Sequence, residues 1–158
     1  YRKVPGWKPV YEADTINHKL TFFPTPKAMA KPGKIYVKGN IIYQNDIGSG
    51  IHIIDNSDPL HAHTVAFMKL PGNTDIAIKG NYIYANNFDD LVVIDINDAS
   101  APVEVHRLKH SFSANNFANP YVWQVPPEPG YYECPAYYTD STIVRWTLDS
   151  VYNMCYKN

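Results

Sequence analysis

The sequence predicts an all-β protein built from tandem four-stranded antiparallel sheets. Three observations lead there. Thirteen tyrosines and thirteen prolines in 158 residues favour strands, turns and extended segments over long helices. Short alternating apolar runs of about five residues recur between clusters of Gly, Asn, Asp and Pro. The phrase "KGNIIYQND" at Lys38 also returns as "KGNYIYANN" at Lys79, so whatever the first copy builds, the second builds again.

Residues 1–33 carry Pro5, Pro9, Pro24, Pro26 and Pro32 with little periodicity. They read as an extended N-terminal arm with a short strand near "HKLTFF". Trp7, Tyr11, Phe22 and Phe23 give this arm rings to pack, unlike a solvated linker. From Lys34 the texture changes to four strands: "KIYVK", "IIYQND", "IHIID" and "HTVAFMKL". The pattern then restarts. Ile76 and Ile78 answer Ile35 and Val37, Ile83-Tyr84 answers Ile42-Tyr43, and "LVVID" answers "IHIID" with Asp95 at the place of Asp55. Further on, Val105, Leu108 and Lys109 answer Val65, Met68 and Lys69. The offset is 41 residues through Lys-Gly-Asn and 40 from Asp55 onward, so the loop after Tyr43 and Tyr84 should differ by one residue. The repeats span 34–73 and 74–110. Gly39-Asn40 and Gly80-Asn81 are turn chemistry, with the asparagine expected to take left-handed backbone.

A period near 40 with four strands per unit is the spacing of β-propeller blades. A four-stranded sheet exposes an apolar face that it cannot cover alone, and a second copy can cover it. Closed rings use about four to eight blades, so two units predict an incomplete propeller. Its open faces must then be covered by the arm, the tail, a partner chain or further blades.

Residues 111–158 form an aromatic, Pro-rich tail with strand-like pieces, "YVWQV" and "STIVRWTL", around "PPEPGYYECPAYY". Cys134 and Cys155 match neither a CxxC nor a Cys/His zinc pattern, and they are expected to form a disulfide in an oxidising compartment.

Composition excludes several function classes. A formal net charge of −1 and scattered Lys and Arg provide no basic stripe for nucleic acid. No apolar run approaches the roughly 20 residues of a spanning helix, and the opening "YRKVPGWKPVYEAD" is no secretory signal. Alternate strand residues share a face, so His61 and His63, with His52 one strand earlier, are the best candidates for a transition metal. The second repeat has Ala101 and Val103 there, which favours solvated histidines. The oxygen-rich turns with Asp55, Asn56, Asp58, Asp95, Asn97 and Asp98 could take calcium, but they lack EF-hand spacing and suit side chain-to-backbone turns better. Ser49, Ser57, Ser111 and Ser113 sit in no nucleophile elbow, and Asp89-Asp90 reads as loop solvation. No phosphate-binding glycine motif occurs. The expectation is a non-enzymatic protein without a cofactor or resident metal. The aromatic tail is the more informative feature: Tyr121, Trp123, Tyr131, Tyr132, Tyr137, Tyr138 and Trp146 are the candidate interaction surface, since Tyr and Trp offer large contact area at low entropy cost. Some of these rings are expected instead to plug the open end of the repeats.

The segments "GIHIIDNSDP" and "DLVVIDINDASAPVEV" resemble the LVIVD repeat, a Gly-rich turn followed by a Leu-Val-Ile-Val-Asp strand, Ser-Asp-Pro and an apolar-acidic strand. The preceding "KPGKIYVKGN" is similar to the repeat opening in LVIVD-containing outer-membrane lipoproteins of Gram-negative bacteria. The resemblance covers roughly residues 31–109. It implies a non-catalytic accessory or scaffold lipoprotein at the outer membrane, cell surface or periplasm, held by a lipid anchor and binding a larger envelope protein assembly. A cell-surface glycan-binding module is the alternative, because the same rings suit carbohydrate stacking.

Overall fold

In the computed structural model, residues 2–112, 125–136 and 140–158 are described. They form an all-β chain with two compact units, residues 18–116 and residues 1–17 with 117–158. β1 (Val4–Ala13) runs into a single helical turn, α1 (Asp14–Asn17), and β2 (Thr21–Phe23) follows. β3 (Pro32–Lys38), β4 (Ile41–Asp46), β5 (Gly50–Asp55) and β6 (His63–Lys69) make an antiparallel meander. β2 adds to its far edge, so the first repeat sheet has the order β2-β6-β5-β4-β3. β7 (Ile76–Lys79), β8 (Tyr82–Asn87), β9 (Asp90–Asp95) and β10 (Val103–Leu108) repeat the meander as a four-stranded sheet, β10-β9-β8-β7. β11 (Gly130–Glu133), β12 (Ser141–Val151) and β13 (Met154–Lys157) join β1 in a third sheet of order β12-β1-β11-β13.

The expected N-terminal arm is therefore divided. β1 pairs antiparallel with β12 along its whole length, from Val4↔Val151 to Ala13↔Ser141, while β2 belongs to the first repeat sheet. β11 meets β1 at one register pair, Trp7↔Tyr132. Most of that side of β1 is edge-like, where prolines that lack an N–H are tolerated. Cys134 and Cys155 lie at disulfide distance, Sγ–Sγ 2.01 Å with Cα atoms 5.1 Å apart, and staple the β11–β13 pair. Closing a loop of this length stabilises by about 3 kcal/mol on the chain-entropy account.

The doubled phrase builds two equivalent hairpins. Lys38↔Ile41 and Lys79↔Tyr82 each close a two-residue Gly-Asn loop. The glycine, not the asparagine, takes the left-handed backbone, with φ of +58° at Gly39 and +59° at Gly80. This corrects the expectation for Asn40 and Asn81. Tight hairpin loops need positive φ at the first central residue, where a Cβ is penalised. The asparagines instead tie the turn down: Asn40 O accepts from Asn56 N–H and Asn81 O from Ile96 N–H, each at 2.8 Å. The one-residue change of offset lies where the sequence placed it. Asp46↔Gly50 encloses Ile47-Gly48-Ser49, whereas Asn87↔Asp90 encloses only Phe88-Asp89.

Burial follows the repeat in a phased way. Directly opposed antiparallel residues share a face, so Tyr43, Ile51, Ile53, Ala66 and Met68 lie on one face of the first sheet. Ile76, Ile83, Ala85, Val92 and Ile94 lie on the face of the second sheet that carries the other parity. Together they are one buried cluster, so the first sheet's core face packs on the opposite face of the second. Each fully buried Ile or Val contributes roughly 2 kcal/mol. Residues matched by the repeat thus have different environments: Ile76 is 1 % exposed and its counterpart Ile35 is 55 % exposed. Ile76→Ala is expected to cost about 3 kcal/mol and Ile35→Ala less than about 0.5 kcal/mol. Urea unfolding of the two variants checks this.

Candidate functional site: open sheet faces and an aromatic sheet

The packing leaves one face of the second repeat sheet, and part of one face of the first, uncovered. On the first sheet, Ile35 and Val37 (63 % exposed) stand on the same face as half-buried Ile42 and Ile54. On the second, Tyr82, Tyr84 and Leu108 are exposed on the face of half-buried Leu91 and Val93. Contiguous apolar faces of this kind mark contact surfaces.

The third sheet carries the aromatic residues. Of the seven singled out from the sequence, Tyr121, Trp123, Tyr137 and Tyr138 lie outside the described residues. Tyr131 and Tyr132 are adjacent on β11 and so face opposite ways. Tyr132 packs edge-on against Trp146, ring centroids 5.8 Å apart, while Tyr131 packs edge-on against Tyr156 at 5.1 Å. The three described rings are thus split between two faces instead of forming one surface. Sequence reading gave Trp7 to the arm and not to this surface, though it is level with Tyr132 and Leu148 in the register, and it missed Tyr156, which is 60 % exposed. Only strand pairing brings the chain's first residues and its last to one sheet, so no local signal could have found them.

Two buried carboxylates organise the ends of the repeats. Asp46, fully buried, meets His52 Nε2 at 2.9 Å and accepts from Lys31 N–H at 2.7 Å and Ala30 N–H at 3.2 Å. Burial pushes its carboxyl up, but the His52 contact and the two backbone donors outweigh that and hold it below the usual range. His52 itself packs against Phe67, whose ring also lies under Lys27 Nζ at 4.4 Å. In the second repeat Asp90 takes Arg107 Nη1 at 2.7 Å and His18 Nδ1 at 3.1 Å on Oδ2, and His110 N–H at 3.0 Å on Oδ1. Burial again pushes the carboxyl up, and Arg107, His110 and His18 together bring it below normal.

The candidate metal histidines do not converge. His52 is buried on β5, whereas His61 and His63 are exposed; His61 Nδ1 lies 2.6 Å from Asp58 Oδ2 and His63 Nδ1 3.0 Å from His61 O. His18, Asp89 and Asp90 bring ligand atoms within 4.8 Å of one another, but the Arg107 guanidinium already holds the Asp90 oxygen that faces His18, which disfavours a cation there. The Asp-rich loops are backbone-capping turns in both repeats. Asp55 accepts from Ser57 N–H at 2.8 Å and Asp95 from Asn97 N–H at 2.8 Å. Asp58 and Asp98 do the same for Leu60 and Ser100 at 3.1 and 2.9 Å. A cleft of about 320 Å³ opens beside Phe22, Ile41, Asp55, Val65 and Ser100. Its lining is mainly apolar, and the Asp55 carboxylate there is committed to Ser57.

These features define a class: an all-β repeat protein whose distinctive surface is apolar and aromatic. A family model described as the LVIVD repeat matches residues 72–109, which spans the second repeat sheet. No curated protein and no solved structure matches the chain. Among the described residues no helix is long and apolar enough to cross a membrane.

Asp46 and Asp90 carry a pH prediction. Both have folded-state values below the unfolded ~3.9, so their stabilisation is fully present above that value. It is lost as pH falls through the folded values. Melting temperature should be flat from neutral pH to about 5 and fall below about 4. Asp46→Asn should shallow that acid slope and cost about 2 kcal/mol at neutral pH. Thermal melts followed by circular dichroism across pH check both.

Proposed function

We propose that the chain is a non-catalytic accessory or scaffold protein of the bacterial envelope that binds a larger protein assembly. In this reading the repeat sheets are two blades of an incomplete propeller, and the third sheet presents the binding surface. The observation that carries it is the stapled aromatic sheet. Tyr131 and Tyr156 remain 48 and 60 % exposed, beside Met154 at 38 %, on strands joined through Cys134–Cys155, and Tyr152 in the β12–β13 turn is 49 % exposed. Rigid, exposed tyrosines are the side chains that anchor protein interfaces, and pre-ordering them by a disulfide lowers the entropy lost on binding. The disulfide also supports an oxidising location, in line with a periplasmic or surface-exposed protein held at the outer membrane of a Gram-negative bacterium by a lipid.

Native isolation from envelope membranes with crosslinking tests the reading. A stoichiometric complex is expected, and Tyr131→Ala with Tyr156→Ala should lower its yield at least tenfold. Recovery of the wild-type chain alone and soluble without detergent would sink the proposal, and intact mass of the isolated chain reports any lipid. The glycan alternative draws on the other face, where Tyr132 and Trp146 meet. It predicts glycan-array binding that Trp146→Ala abolishes, and an empty array removes it.

A further inference from the structure

The open faces of residues 18–116 are the two halves of a contact that the chain already makes once. Tyr43, Ile51, Ile53 and Met68 are buried against the second sheet, at most 1 % exposed. Their repeat counterparts, Tyr84, Leu91, Val93 and Leu108, form the second sheet's open face. The converse holds on the other side. Ile76, Ile83 and Ile94 are buried against the first sheet, and their counterparts Ile35, Ile42 and Ile54 form the first sheet's open face. The chain thus displays both members of an interface whose geometry it has already satisfied internally.

We propose that a second copy of this chain docks head to tail. The first-sheet open face of one copy (Ile35, Val37, Ile42, Ile54) covers the second-sheet open face of the other (Tyr84, Leu91, Val93, Leu108). The proposal concerns residues 18–116 and stands apart from the aromatic sheet on which the proposed function rests.

The rim of the internal contact supplies the polar argument. Lys38 Nζ, at the end of β3, donates to Gly80 O at 2.5 Å and Asn81 Oδ1 at 2.6 Å in the next repeat's turn. Lys79 is its counterpart at the end of β7, with no polar partner among the described residues, and Gly39-Asn40 is the matching turn. In the docked pair Lys79 of one copy reaches the Gly39 carbonyl and Asn40 side chain of the other. Charge matches as well. Lys34 Nζ pairs with Asp75 Oδ1 at 2.7 Å across the internal contact, and these two occupy the same repeat position with opposite sign. Continuing the stack sets Asp75 of one copy beside Lys34 of the next, so the signs alternate through every joint. Two departures narrow the contact to β3–β5 on one copy and to β7–β9 with Leu108 of β10 on the other. The counterpart of Val92 is His52, already sealed by the segment bearing Lys27 and Lys31, and the counterpart of Ala66 is His106.

A head-to-tail contact between unlike faces closes into a ring or extends as a filament. With two repeat sheets among the described residues, a ring of about four to eight sheets needs roughly two to four such units.

Sedimentation velocity of the disulfide-bonded chain over a wide concentration range tests this. The expected result is a mass-action shift from monomer to a species of two to four chains, with Lys79→Ala weakening association about threefold, as befits an exposed rim contact. Val37→Glu blocks one face and Leu108→Glu the other; both sites are more than half exposed, so folding should persist, as circular dichroism will report. Each variant alone should stay monomeric. An equimolar mixture should form a heterodimer through the two intact faces and go no further. A wild-type chain monomeric throughout, either variant self-associating, or a mixture that fails to pair would each overturn the proposal.

Discussion

The interaction on which the rest of the structure depends is the burial of one repeat sheet's apolar face by the opposite face of the other. Neither meander could bury its branched side chains alone, because a single antiparallel sheet has two faces and no interior. Stacking solves this with a fixed phase: the alternate set of repeat positions that faces inward in the first copy faces outward in the second, so unlike faces meet. The phase explains why Tyr43 and Tyr84, identical and matched in the repeat, are 1 and 36 % exposed. It also explains the doubled Lys-Gly-Asn phrase. Its glycine closes the hairpin, its asparagine carbonyl receives the N–H of the residue just past β5 or β9, and the first copy's lysine grips the second copy's turn.

Where the repeats diverge, the divergence is polar and peripheral. Gly50 adopts φ +148° with no room for a Cβ, which would lie 2.0 Å from Met68 O. Its counterpart Asp90 instead gathers Arg107, His18 and His110. Phe88 holds φ +50°, costly for a non-glycine residue, and offsets it by burying its ring, stacked at 5.3 Å on His18. Asp46 closes the first sheet's end through His52 and the backbone of Ala30 and Lys31. The two ends are thus sealed by unrelated networks around a common scaffold, which is why a core-level repeat does not extend to its histidines.

The third sheet follows a different logic. Its strands come from opposite ends of the chain, and β1 contributes ten residues with prolines at positions 5 and 9. Stability comes from long β1–β12 pairing and from a disulfide between the residue after β11 and the start of β13, and not from a deep apolar interior: among its buried residues are Ile143 and Val151, at 7 and 0 % exposure. Aromatic side chains consequently stay near the surface, paired edge-on in twos.

The sequence by itself determined the all-β class, the repeat period with its one-residue slip between Tyr43 and Asp55, the turn positions and the cysteine pair. Each of these is local, written in alternation, in glycine's freedom at positive φ, or in the scarcity of thiols. It misjudged which turn residue goes left-handed and grouped Tyr131 with Tyr132 on one surface. Tertiary structure decided those, along with the marriage of β1 to β12 and the choice of which repeat face is covered. The physical reason is common to all: a residue's own pattern tells which way it alternates, whereas what lies opposite depends on strand pairing and sheet stacking between residues far apart in the chain.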